Sequence, residues 1–355
     1  MMNKAIRNIL LTCLAILGLF TSVSAQEYFG GNHLCEPYYP EYGRFSIGAD
    51  WLYWKASEDG LNYSTFKNTA TTIPGTTLTA NSNSIQRPDF LWESGYKVYA
   101  GYELPCYEWE IDIIYTHAPH YIATSALIAN SAPIATPPVQ NILLLPTFLF
   151  TSPIAGAVST TVVGSTIAAE WKLDFDYIDF DLGHTLCLSD YLSLSPHIGV
   201  RYLWMKQRFE IAYTGTDSGS AFVYATQMQE RAWGTGIEGG LWTNWQVGSN
   251  FSIIGHLGGS ILYGNYKLNS GLAVKSTRAG VITNVAEALS ERICTSIPMV
   301  DYFIGVQYGL CLGDIEFNFN IGWEQHVVFN ANRFTLSDTG DLSLQGLTLG
   351  GGFNF

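Results

Sequence analysis

Hydrophobic and polar residues alternate with a period of two along several stretches of this chain. In 108–116, Trp109, Ile111, Ile113 and Tyr115 share one face and Glu108, Glu110, Asp112 and Thr116 the other, with Ile114 the single exception. In 314–324, Ile315, Phe317, Phe319, Ile321 and Trp323 alternate with Asp314, Glu316, Asn318, Asn320 and Glu324. In 170–176, Trp171, Leu173 and Phe175 alternate with Glu170, Lys172, Asp174 and Asp176. A helix would scatter these residues around its circumference, whereas a strand sorts them onto two faces. The runs match the ~9–11 residues a membrane strand needs. Aromatic residues cluster where interfacial girdles belong, at Trp51, Tyr53 and Trp54, Tyr202 and Trp204, and Trp233 and Trp245.

Four long hairpins repeat this plan, with short connections near Pro105 to Tyr107, Ser189 to Tyr191, Gly248 to Asn250 and Gly313 to Asp314. Longer connections are expected near 57–90, 117–168, 213–229, 268–298 and 330–340. A first strand at 44–55 and a last at 341–355 bring the count to about ten, within a range of about eight to sixteen. The pattern predicts an all-β fold, a closed antiparallel transmembrane β-barrel over 44–355 with short periplasmic turns and long extracellular loops.

Composition agrees. Charged residues make up only 13% of 355 residues and aromatics 14%, too few charges to cover a soluble surface of this size. A barrel resolves the conflict, because its outer face meets hydrocarbon while its backbone groups pair between strands. At the start, Lys4 and Arg7, an apolar run over 9–20 and Val23-Ser24-Ala25 predict a cleaved signal peptide over 1–25, followed by a periplasmic segment over 26–43. Removing Lys4 and Arg7 moves the formal net charge from −13 to −15. So acidic a chain does not suit a nucleic-acid partner.

The last residues, Thr348-Leu349-Gly350-Gly351-Gly352-Phe353-Asn354-Phe355, place Leu347, Leu349, Phe353 and Phe355 on one face. Gly350, Phe353 and Phe355 resemble the signal read by the barrel-assembly machinery, which is the expected partner together with outer-membrane lipid and lipopolysaccharide. The segments Ala49-Asp50-Trp51-Leu52-Tyr53-Trp54-Lys55-Ala56, Trp171-Lys172-Leu173-Asp174-Phe175-Asp176 and Ser195-Pro196-His197-Ile198-Gly199-Val200-Arg201-Tyr202 resemble the Legionella-type major outer membrane protein family, which has relatives in environmental chlamydiae. That resemblance implies an abundant outer-membrane porin, and a surface antigen or adhesin.

No catalytic constellation stands out, and neither an enzyme nor a cofactor is expected. The seven histidines are scattered, and neither a serine elbow nor a metal-binding spacing stronger than His117 with His120 is present. Function is expected in the lumen. The polar phase assigns to it Asp50, Glu93, Glu110, Asp112, Asp174, Asp176, Glu238, Asp301, Glu316 and Glu324, against Arg44, Lys97, Lys172 and Arg201. Excess carboxylates in a narrow aqueous pore favour cations. The expected function is passive diffusion of ions and small hydrophilic solutes with a weak cation preference. The alternative is a structural or adhesive barrel with a closed lumen, a real rival because ten strands leave a narrow interior.

Two further features carry expectations. The stretch 118–169 lacks Asp, Glu, Lys and Arg until Glu170, and its apolar run 141–150 could narrow the pore, form a contact patch, or extend a hairpin. Cys35, Cys106, Cys187, Cys294 and Cys311 are an odd set outside the cytoplasm, which suggests a free thiol or disulfide links to envelope proteins or to another copy of the chain.

Overall fold

A computed structural model describes residues 43–71, 82–105, 109–128, 139–146, 163–217, 220–248, 250–278, 281–312, 315–334 and 339–355. The signal peptide, most of the following segment, Cys35 and Cys106 lie outside them. All described residues fall in the compact unit Leu34–Phe355.

Ten strands form the wall: β1 (Arg44–Glu58), β2 (Trp92–Glu103), β3 (Trp109–Ile128), β4 (Val163–His184), β5 (Leu192–Asp217), β6 (Ser220–Gln246), β7 (Phe251–Arg278), β8 (Val281–Leu312), β9 (Ile315–Asn332) and β10 (Gly340–Asn354). Each pairs antiparallel with its neighbour in sequence, and β1 pairs with β10, for example Trp51 with Leu349, so the sheet closes on itself. Reciprocal hydrogen bonds of 2.9 Å between Phe45 and Phe355 seal the seam at its last residue. The expected strand count and the first and last strands hold.

The long connections differ from expectation. Among the described residues of 213–229 and 268–298 the backbone is not irregular. β5 and β6 stay paired to Asp217 with Ser220, and β7 and β8 to Arg278 with Val281. The Gly, Ser and Thr residues that read as loop there are held extended by ladder hydrogen bonds, which override local turn preference. Within 57–90 and 117–168, Ser64–Thr71 pairs with both Ser82–Gln86 and Val139–Pro146, making a separate three-stranded sheet. The apolar run therefore begins as the strand Val139–Pro146, and its remainder lies outside the described residues.

Strand length explains why the pattern is more complex than a simple membrane barrel. β8 has 32 residues and β7 has 28, well beyond the ~9–11 needed to cross. In the half near the short turns, apolar side chains face outward, as at Ile47, Ile111, Ile113, Ile198, Ile237, Ile261, Ile304 and Ile321, all exposed. Aromatic residues bound this band. At the far side Trp323, Trp92 and Tyr53 form one run of ring contacts, and Tyr96, Tyr115, Trp204, Tyr202 and Trp233 form another, with centroids 5.5–6.4 Å apart. At the near side Phe45 packs on Tyr102 and Phe355. From Phe45 to Tyr53 the wall rises about 20 Å at ordinary strand pitch and tilt.

Beyond the far girdle the hydrophobic phase turns inside out. In β10, Leu347, Leu349 and Phe353 take the outward phase, yet Leu342 and Leu344 point inward and are fully buried. In β5, Val200 and Tyr202 are outward, whereas Leu203, Met205, Phe209 and Ile211 are inward and buried. Leu52 and Trp54 of β1, Leu262 and Tyr266 of β7, Ile297 and Met299 of β8 and Val328 of β9 follow suit, all 0–1% exposed. They form one continuous apolar core inside the outer half of the barrel, completed by Leu61 and Tyr63 after β1 and Phe334 after β9. The physical reason is the change of solvent. Where the outer face leaves lipid for water it becomes polar, and a small barrel can then bury its apolar groups only in its own interior.

Candidate functional site

Below the apolar core lies a chamber of about 520 Å³ lined by the inward residues of all ten strands. Of the expected lumen residues, Asp50, Lys97, Glu110, Asp112, Arg201, Glu238, Asp301 and Glu324 line it. Glu316 lies at the short-turn rim, 3.4 Å from Arg44. Glu93 keeps the inward phase of β2 but lies outside the chamber lining.

Three assignments are corrected. Lys172, Asp174 and Asp176 take the outward phase of β4, while Trp171, Leu173 and Phe175 are buried inside at 0% exposure. This part of β4 stands beyond the far girdle, where outside means water. Lys172 pairs with Glu170, Asp174 lies 4.0 Å from Lys206, and Asp176 accepts from Tyr115 at 3.0 Å and meets His117. Pairing of β4 with β5 runs unbroken from Ala168 to Gly183, and the irregularity on its other side, between Ala118 and Tyr121, lies in β3, so β4 itself keeps one phase throughout. His117 thus faces the outer surface, and the side chain of His120 lies outside those described.

Periodicity alone missed the residues that organise the chamber: Tyr177, Asp179, Asp181, His197, His256 and His326. One signal could have found two of them. In Asp174-Phe175-Asp176-Tyr177-Ile178-Asp179-Phe180-Asp181 the acidic residues change from even to odd positions, marking the point where the polar face changes sides.

These groups build a polar bridge across the barrel. Arg201 of β5 donates to both carboxylate oxygens of Asp179 on β4, at 2.7 and 2.8 Å. It also donates to Asp301 of β8 at 2.5 Å, across the lumen, and its guanidinium lies 4.6 Å from the Tyr177 ring centre. Asp301 meets His326 Nδ1 at 2.6 Å, and His326 Nε2 lies 3.1 Å from Glu324. Glu324 receives Lys97 of β2 at 2.5 Å and Thr348 at 2.8 Å, and Trp54 Nε1 donates to Thr348 at 3.2 Å. Only a doubly protonated imidazole donates to carboxylates from both nitrogens, so the geometry reads His326 as a cation. The chain of contacts therefore alternates acid and base from β4 to β2, directly under the apolar core. Charges this buried stay in place because each is paired.

A second polar thread runs through the outer core. Trp171 Nε1 donates to Gln207 at 3.0 Å, and Gln207 donates to Glu58 at 2.7 Å. Glu230, beside outward Arg231 and beyond Trp233, accepts from the Arg333 amide at 2.8 Å. It lies outside the lipid band, and burial pushes its carboxyl up to about 8.

Cys187 and Cys294 are exposed free thiols, Cys187 near the short turns and Cys294 on β8 beyond the far girdle, where Asn265 donates to it at 3.3 Å. Cys311 is not a free thiol. Phe353 and Phe355 of the terminal segment are exposed on the lipid face.

Comparison with known proteins bears on the whole wall. Solved structures that resemble it include the outer membrane protease OmpT from Escherichia coli, with 9% identity, TM-score 0.33 and coverage of 94% of this chain and 99% of that one. A major outer membrane protein from Thermus thermophilus has 10% identity, TM-score 0.26 and coverage of 88% and 99%. A Pseudomonas aeruginosa FadL homologue has 7% identity, TM-score 0.27 and coverage of 89% and 90%. At this level of similarity nothing about activity transfers. No curated protein matches the chain. The model of the family described as Legionella pneumophila major outer membrane protein precursor matches residues 38–355, the entire barrel. With its two girdles and closed wall, the chain is an outer-membrane barrel, and it belongs to the Legionella major outer membrane protein family.

Proposed function

We propose that this protein is a surface barrel whose lumen is shut at rest, serving a structural or adhesive role rather than steady solute diffusion. The observation that carries this reading is the occlusion of the interior at two levels. The bridge Asp179–Arg201–Asp301–His326–Glu324–Lys97 crosses the lumen, and above it Trp54, Trp171, Phe175, Leu203 and Phe209 are wholly buried. An open pore would leave at least one file of these side chains in contact with water. The ladders that extend beyond the far girdle support the adhesive half, since they present polar outward faces well above the lipid.

The expectation of passive diffusion keeps two supports, the family membership that implies it and the chamber itself, whose lining is polar and rich in carboxylates. If the plug opens, the same excess of carboxylate favours cations. Reconstitution of the mature chain in planar bilayers and in liposomes with sugars of graded size decides between the two. The closed reading expects no steady conductance and no swelling. Steady conductance from the native protein overturns it, and the reversal potential in a salt gradient then reports the ion preference.

Further parts of the reading follow the same family logic. Cleavage after Ala25 is testable by N-terminal sequencing of envelope material. Recognition by the assembly machinery through Gly350, Phe353 and Phe355 is testable by removing Phe355 and measuring outer-membrane yield. Disulfide links to envelope proteins or to a second copy through the exposed Cys187 are testable on non-reducing gels.

A further inference from the structure

The geometry points to a binding site for one divalent transition-metal ion, of the zinc type, on the chamber wall at Asp181, His197 and Glu238. These residues come from three adjacent strands, β4, β5 and β6. The register places Gly199 between Asp181 and Glu238, and places His197 between Gly183 and Gly240. Donor and glycine therefore alternate across the wall, and the glycines keep the space open. A Cβ on Gly199 would run into the Asp181 carboxylate, and one on Gly240 would stand 2.7 Å from the His197 ring. One ligand atom from each of the three donors lies within 4.8 Å of the others. Ligands bound at ~2.1 Å around a tetrahedral ion stand about 3.4 Å apart, so small rotations would close the set.

A second observation is independent of the clustering. Asp181 Oδ1 and Glu238 Oε1 are buried without a hydrogen-bond partner, and Glu238 Oε1 lies 3.9 Å from His197 Nε2. Asp181 is 9% exposed, Glu238 4%, and the His197 side chain 7%. Two unpartnered buried carboxylate oxygens beside one imidazole are costly unless something lies between them. The nearest cation does not. Arg201 Nη2 is 3.7 Å from Glu238, but this guanidinium is already held by Asp179 and Asp301. In the chamber as a whole eight carboxylates face two permanently charged bases, Lys97 and Arg201. A fixed field of that sign concentrates cations. One imidazole with two carboxylates is the donor set of zinc, manganese or ferrous sites rather than of magnesium. Three protein ligands leave the fourth position open to the chamber.

This inference goes beyond the closed-lumen reading and does not depend on it, because a chamber that conducts would hold the ion equally well. The test uses the folded mature chain in detergent micelles, stripped with chelator and titrated with zinc alone by calorimetry, with metal content after dialysis as a second readout. The expected result is one zinc per barrel, with affinity at least about tenfold weaker in Glu238→Gln and His197→Ala and unchanged in His117→Ala, which alters the outer surface. Cobalt should give the intense visible bands of a tetrahedral site in the native chain and lose them in both variants. Heat-modified gel migration verifies that each variant is folded, and Asp181→Asn replaces either one that is not. Absence of stoichiometric zinc from the native chain overturns the site. Equal affinity in native chain and folded variants overturns it as well.

Discussion

The two halves of this barrel use the same strands and opposite rules. Near the short turns Ile237 is 66% exposed and the interior holds Arg201, Asp301 and Glu324. Beyond the far girdle Trp171 is 0% exposed and the outer face holds Lys172, Arg208 and Lys206. β4 keeps one phase through both halves in its pairing with β5, so its own backbone does not make the change. What differs is the medium outside. Alternation along a strand establishes that two faces exist, and the surrounding solvent decides which of them is the inside.

The largest expected effects lie in the interiors, for different reasons in each half. Arg201→Gln would leave Asp179 and Asp301 as buried, unmatched carboxylates, and should cost about 3–5 kcal/mol in denaturant unfolding from lipid. Trp171→Ala should cost a similar ~3–5 kcal/mol by emptying packed volume in the outer core, yet admit no steady ion current across bilayers while the bridge below stays intact. Equal insensitivity of both would mean that neither interior is packed as described. On the outer face the halves should part company. Ile111→Arg, in the lipid band, should destabilise by about 2–4 kcal/mol or block insertion, while its inward neighbour Asp112→Arg should insert normally. Lys172→Leu, outward but in water, should shift unfolding by less than about 0.5 kcal/mol. A penalty at Lys172 as large as that at Ile111 would refute the placement of the girdle between them.

A subtler contrast is with pH. Glu230 is buried in the outer core, and its carboxyl is raised to about 8, so the folded state holds its proton more tightly than the unfolded chain. That contribution to stability is complete at pH values below the ordinary carboxylate range and disappears as pH rises through that range towards 8. Thermal unfolding should fall over this window in the native protein, and less steeply in Glu230→Gln. An unchanged slope would remove Glu230 from the account.

Much of the wall was legible because period two is a local property. Trp109, Ile111 and Ile113 and the residues Ile315, Phe319, Ile321 and Trp323 were assigned to the lipid face on sequence alone, and they lie there. Tertiary facts were not legible in this way. That Trp171 faces inward depends on its height above the membrane, and height depends on where neighbouring strands place their girdles. Asp179, Asp181 and His326 acquire their meaning only from partners on other strands, such as Arg201 and Asp301. The ladders over 213–217 and 268–278 are not legible in this way because Gly, Ser and Thr are as compatible with an extended edge as with a turn, and only pairing chooses.

One consequence follows from the unequal lengths of β8 and its neighbour. β8 pairs with β9 only from Met299 downward, yet it continues to Val281 in register with β7. Among the described residues, the flank of β8 over 281–298 that faces away from β7 has no partner strand. Such a flank is a template onto which any extended peptide could add itself. Glu291, Arg292 and Pro298 are spaced along this stretch, and charge and proline are the residues that make a foreign strand a poor fit. The protein thus carries its tallest element with a built-in guard against sticking to copies of itself.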